Sequence, residues 1–107
     1  MAMLLAASSC VLAKGVRAET CYFNGRSPLQ CTPTWSYAAN QAMVRIAWVD
    51  GVRETYVFPG YDGTNASLGV AVDPRGGRWQ FIDRRDGCRW QLKHVSNANV
   101  ITVSRCR

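Results

Sequence analysis

Beyond its first residues the 107-residue sequence has almost no helix signal. Apolar residues do not recur at helical spacing, while Gly, Asp and Asn turn residues recur through the second half, which excludes a helical bundle and points to an all-β fold. No apolar run reaches the about 20 residues that a transmembrane helix needs. There is one histidine, His94, so a multi-histidine metal centre is excluded. It sits where a strand should end beside a turn, and reads as a packing or surface residue. No Gly-x-Ser-x-Gly and no recognisable Ser-His-Asp order is present. No two cysteines are spaced C-x₂₋₄-C, so four cysteines do not read as a zinc site. Acids are scarce, 7 Asp and Glu against 13 Lys and Arg. The candidates for a carboxylate pair, Asp73, Asp83 and Asp86, fall at strand ends or turns, where Asp bonds its own backbone, and Asp62 falls in a turn-like loop. No catalytic residue, metal or cofactor is implied.

What is present is β grammar. Met43–Phe58 reads as two strands joined by Asp50-Gly51, a dipeptide suited to a two-residue type I′ turn. That turn sets Val49 opposite Val52, Trp48 opposite Arg53, Ile46 opposite Thr55 and Val44 opposite Val57. One face then carries Val44, Ile46, Trp48, Thr55 and Val57 toward the core. The other carries Arg45, Ala47, Val49, Glu54, Tyr56 and Phe58, half exposed. Arg53 against Trp48 would be cross-strand packing with some cation–π character.

Residues 1–18 read as a signal peptide. Ala2–Ala13 is a run of small and apolar residues of h-region length, and Val16-Arg17-Ala18 offers small residues to a signal peptidase, with cleavage after Ala18. No Lys or Arg precedes the run, so the start codon of the natural gene would lie upstream. A lipoprotein anchored at Cys10 is the alternative, against which Ala7 stands where a lipobox wants Leu. Removing Lys14 and Arg17, with no acid in the segment, takes the net charge from +6 to +4.

Cys21, Cys31, Cys88 and Cys106 remain, an even number in a short exported chain, which argues for two disulfides in an oxidising compartment. The preferred pairing is Cys21–Cys31 and Cys88–Cys106 among three possible. One observation opposes it. If Trp90, Leu92, Ile101 and Val103 share the core face, Cys106 falls on the opposite face from Val103, which a bulge or an N-terminal partner for Cys106 would resolve. Each bridge would contribute about 2–4 kcal/mol.

Residues 19–107 are expected to form one domain. Segment 19–40 lacks clean periodicity, is broken at Asn24–Pro28 and at Thr32-Pro33, and is expected to wrap the sheet irregularly, with Trp35 to Ala39 as a short strand or one helical turn. A meander over 43–106 follows. After the central hairpin and the 59–65 loop come strands at 68–73, 78–83, 88–94 and 100–106, separated by turns at 74–77, 84–87 and 96–99. About six antiparallel strands result, curled into a barrel or folded as a two-layer sandwich.

The motifs Arg45-x-x-Trp48-x-Asp50-Gly51…Tyr56 and Asp73-x-x-Gly76-Gly77-x-Trp79 resemble small exported proteins of cyanobacteria that have no assigned function. The resemblance spans roughly residues 43 to 103. It implies an envelope or lumen location and carries over no site.

The charge excess gathers late in the chain. Arg75, Arg78, Arg84, Arg85, Arg89, Lys93, Arg105 and Arg107 face only Asp83 and Asp86, with Trp79 and Trp90 interleaved. This reads as a non-catalytic exported binding protein of the cell envelope that presents loops 59–67 and 84–87 to an acidic macromolecule or partner protein. Arg84, Arg85, Arg89 and Trp90 are its contact residues. The bland counterpart is a solvated face that only aids solubility. Nucleic acid ranks behind, because an exported protein rarely meets it. A secreted enzyme inhibitor presenting the rigid turn Arg84–Gly87 is the alternative, and a small secreted enzyme is third.

Overall fold

Runs that alternate apolar and polar residues, bounded by Gly, Asn and Asp, form eight strands in the computed structural model, which describes residues 19–106. They are β1 Glu19–Phe23, β2 Leu29–Ala38, β3 Gln41–Trp48, β4 Arg53–Phe58, β5 Val70–Val72, β6 Arg78–Asp83, β7 Arg89–His94 and β8 Val100–Ser104. Each pairs antiparallel with the next, and β8 returns to β1, closing a barrel. The fold is therefore all-β and disulfide-bonded, as the sequence implies, and a barrel instead of a sandwich. The expected signal segment 1–18 and Cys10 lie outside the described residues.

The strand count is eight and not six, because segment 19–40 is not irregular. It supplies β1 and β2. The Thr32-Pro33 break misleads, since Pro33 sits inside β2. Val49 N–H donates to Gln30 C=O, so the even-numbered residues of β2 bond to β3. Odd-numbered Pro33 turns its missing donor the other way, where the described β1 pairs only with Leu29–Cys31. Pro33 thus interrupts no ladder bond of the described sheet.

The central hairpin is also corrected. Its loop has three residues, Val49-Asp50-Gly51, closed by Trp48 N–H to Val52 C=O at 2.7 Å. Gly51 N–H bonds Trp48 C=O at 2.9 Å, and Gly51 takes φ of 97°, the left-handed position of a G1-bulge hairpin. The register slips by one from that of a two-residue turn, so Ala47 opposes Arg53, Ile46 opposes Glu54 and Val44 opposes Tyr56. A one-residue slip exchanges the faces of a strand. Tyr56 and Phe58 are buried where Thr55 and Val57 were expected, and Arg53 is not the cross-strand partner of Trp48. On β3, Val44 and Ile46 point inward as anticipated.

The interior packs Phe58, Ile46, Leu92, Ile101, Val44 and Val103 around the buried Cys21–Cys31 bridge. Outward positions such as Thr34, Arg45, Gln80, Gln91 and Lys93 are polar. This is the reverse of a membrane barrel, whose outer face is apolar. No helix among the described residues is long and apolar enough to cross a membrane. Cys88 pairs with Cys106, so the preferred pairing stands. The objection from alternation dissolves because β8 ends at Ser104. Cys106 N–H turns back to Ser104 Oγ at 3.1 Å, and Arg105 N–H bonds Cys88 C=O at 2.8 Å. Neither a bulge nor an N-terminal partner is needed.

One polar node pins the lower end of the barrel, where the turns at 24–28, 49–52, 73–77 and 95–99 lie. Buried Asp73 accepts Arg75 N–H and Gly77 N–H through Oδ1 and Trp79 Nε1–H through Oδ2. Burial alone would raise its carboxyl pKa. The bonds from Trp79, Gly77 and Arg75, with the Arg75 charge, outweigh burial and hold it below the usual range. Tyr56 packs edge-on to Trp79 at 5.5 Å, and its hydroxyl pKa is pushed up by burial, then by the charges of Glu54 and Asp73.

A Cβ on Gly77 would lie 2.5 Å from Asp73 Oδ2 and 3.1 Å from His94 Nε2. Gly77→Ala should therefore cost about 1–3 kcal/mol by overpacking, read as a lowered melting temperature. An unchanged melting temperature would mean that the Asp73 node yields freely.

Candidate functional site

The upper end carries the turn at 39–40, the loop 59–69, the loop 84–88 and residues 105–106. Here the barrel opens into a cavity of about 540 Å³. Its wall comes from inward positions of three strands. On β2 the alternation Cys31, Pro33, Trp35, Tyr37 places both aromatic rings on the inner face. On β6 and β7 the same alternation brings in Phe81 and Trp90. Trp35 is the hub. Its ring centroid lies 5.3 Å from Trp90 and 6.1 Å from Phe81, both edge-on, and it stacks on Phe58 at 5.6 Å and on Tyr37 at 6.1 Å. Such pairs favour offset or edge-to-face contact. Leu68, 2 % exposed, closes the side beneath the 59–69 loop.

The rim is polar and carries both signs, with Glu19 and Asp83 lining the mouth together with Arg89 and Arg105. Arg84 N–H bonds Arg89 C=O at 3.2 Å, and the Arg105–Cys88 bond joins the C-terminal segment to the same place. Arg84, Arg85, Arg89 and Arg105 are thereby gathered from two segments of the chain. Two aspartates shape the loop that holds them. Asp83 Oδ1 accepts Arg85 N–H at 2.9 Å, and Arg85 itself takes the left-handed φ of 61°. Asp86 Oδ1 accepts Cys88 N–H and Arg89 N–H, while its Oδ2 meets Arg89 Nε at 2.6 Å. Arg84, Arg85 and Arg105 have no ion pair among the described residues. On the outer face, Arg84 and Arg89 also border a groove with Tyr22, Gln91 and Thr102. Gln91 Nε2 donates to Thr102 Oγ1 at 3.0 Å on its floor.

The four residues expected to bind ligand thus meet at one end. Arg89 and Trp90 line the mouth, Arg84 lines the outer groove beside Arg89, and Arg85 belongs to the same 84–88 loop but lines neither surface. Loop 59–67 reaches the same mouth through Asn65. Sequence reasoning missed Trp35, Tyr37, Phe81, Asp83 and Arg105 as parts of the site. Their signal was the alternation through Pro33 on β2, and for Arg105 the pairing of Cys88 with Cys106.

The other polar candidates lie elsewhere. His94 is at the lower end, with Nδ1 accepting Ser96 N–H and Asn97 N–H and its ring edge-on to Trp79 at 4.8 Å. Asp62 bonds Thr64 Oγ1 within its own loop. Arg75 is paired with Glu54 at 3.2 Å. Asp86, Cys88 and Cys106 converge as metal ligands would, but both sulfurs belong to the disulfide. None of the protein-family models, curated proteins or solved structures compared with this chain matches it.

The Cys88 backbone bond, then the Arg89 side chain, lowers the Asp86 carboxyl to about 2. A depressed carboxyl adds stability that is complete above the ordinary carboxylate pKa of ~3.9 and fades as pH falls through the folded value. Carboxyl-carbon NMR should find Asp86 titrating at about 2, and higher in Arg89→Ala. An ordinary midpoint in the parent protein would show that the loop bonds are not formed in solution.

Proposed function

We propose that this protein is a non-catalytic binding protein of the cell envelope, exported after cleavage near Ala18, that holds an acidic ligand on the arginine rim of its barrel mouth. The observation that carries this reading is the gathering of Arg84, Arg89 and Arg105 by two backbone hydrogen bonds, with Arg85 in the same loop. Arginines beside a concave, partly apolar mouth attract and then seat an anionic group. Two disulfides fit folding in an oxidising compartment.

The rigidity of the 84–88 loop favours a second reading, an inhibitor that inserts this loop into an acidic cleft of an enzyme. Asp83, Asp86 and the Cys88 bridge fix it at three points. The two readings part on partner size. A binding protein takes a soluble oligomeric anion, whereas an inhibitor needs a folded target.

Titration of polygalacturonate, a carboxylate polymer, tests the first reading. Binding should weaken steeply as salt rises, because exposed charge pairs are screened. Replacing Arg84, Arg85 and Arg105 together by Ala should lower affinity about tenfold, at roughly 0.5 kcal/mol per exposed contact. Binding indifferent both to salt and to these substitutions would sink the proposal.

A further inference from the structure

Resting on the acidic-ligand reading, we infer that the ligand is an acidic glycan. One sugar ring seats in the barrel mouth against Trp35, Tyr37 and Trp90, and its carboxylates meet the arginine rim. Three features of the mouth select this chemistry. The first is size. At about 540 Å³ the mouth lies within the ~300–1,000 Å³ of small-ligand sites, too large to be a packing defect.

The second is the wall. Trp35 and Trp90 are half-buried, and Tyr37 is 56 % exposed. Their rings are fixed by mutual contacts, so they offer preset apolar surface at the opening. The C–H face of a pyranose is a flat apolar surface with hydroxyls at its edge. It can stack on such a wall while keeping its polar groups at the rim.

The third feature decides between acidic ligands. The mouth is lined not only by Arg89 and Arg105 but also by the acids Glu19 and Asp83 and by Asn65. Asp83 Oδ1 takes the Arg85 N–H, and Oδ2 has no partner among the described residues. A polyphosphate would bring negative charge to Asp83 and offer its carboxylate no hydroxyl donor, and an acidic peptide, although its backbone N–H groups can donate, brings no flat apolar ring face to the aromatic wall. A wholly apolar ligand would leave these polar groups buried and unpaired. A sugar acid satisfies both signs. Its hydroxyls donate to Asp83 and Asn65, while its carboxylates accept from the guanidinium groups.

The test compares three probes of similar length on the protein with both disulfides intact: tetragalacturonate, neutral maltotetraose and tetraglutamate. Affinity and tryptophan emission are both recorded. Tetragalacturonate should bind tightest and alone shift the emission. Tyr37→Ala should weaken it about tenfold and leave tetraglutamate unchanged, with Tyr37→Phe restoring affinity because the ring is what stacks. Tyr37 is exposed enough that its loss leaves the buried interior intact, which the melting temperature verifies. Equal binding of tetragalacturonate and tetraglutamate, with no effect of Tyr37→Ala, would overturn the glycan inference and leave the acidic-ligand reading standing. Maltotetraose binding as tightly as the uronate, indifferent to the rim substitutions, would overturn the acidic-ligand reading itself. So would a failure of both anionic probes to bind.

Discussion

Closure of the sheet depends on β1, a strand of five residues that must pair on both edges. It takes Leu29–Cys31 of β2 on one side and Ile101–Ser104 of β8 on the other. Without it the sheet would keep two long edges, open to pairing with other chains. The Cys21–Cys31 bridge lies at this seam, with both sulfur-bearing residues buried. It ties β1 to β2 covalently across a described ladder of three residue pairs. In a chain of this size a bridge worth about 2–4 kcal/mol is a large share of a total stability of about 5–15 kcal/mol.

The same seam shapes the mouth. β2 is the longest strand, and Thr32–Ala38 extends beyond its pairing with the described β1. That extension is held by β3 alone in the described sheet, and it is where Trp35 and Tyr37 stand. The aromatic wall thus stands on the part of β2 that reaches past the described β1. The second bridge acts differently. Cys88–Cys106 sits at the rim, outside both flanking strands, and sets the loop 84–88 against the C-terminal segment. One disulfide closes the barrel and the other fixes its opening. A loop fixed before binding loses little freedom on binding, which conserves affinity.

Strand positions from residue 43 onward were legible because alternation and Asp-Gly turns are local signals. The length of the central loop was not. Both a two-residue and a three-residue hairpin want Gly at a positive φ, so Asp50-Gly51 locates the turn without setting its register. Tyr56 and Phe58 could have settled it, since two aromatics two residues apart are better buried than Thr55 and Val57. Pro33 hid β2 because its harmlessness depends on which neighbour each residue bonds, a fact of the assembled sheet. The basic loop could be read directly. The mouth could not, since β2, β6, β7 and the C-terminal segment meet only after closure.

The surface charge follows from turn chemistry. All five aspartates, Asp50, Asp62, Asp73, Asp83 and Asp86, accept hydrogen bonds within their own turns or loops. Asp is the residue of choice there because its short carboxylate reaches a backbone N–H two or three residues on. A carboxylate held in that geometry cannot swing out to pair with a cation elsewhere. Apart from Arg75 and Arg89, the described arginines have no such duty in their side chains, and long side chains of this kind extend into solvent. A modest excess of basic residues therefore becomes a directional field wherever turns and arginines coincide. At the upper end Asp83 and Asp86 are committed to the loop, and only Arg89 gains an ion pair from them. Arg84, Arg85 and Arg105 are left without an ion pair among the described residues, and Arg105 lines the aromatic hollow itself. The 84–88 loop is basic less because of how many arginines it holds than because its own aspartates are engaged in building it.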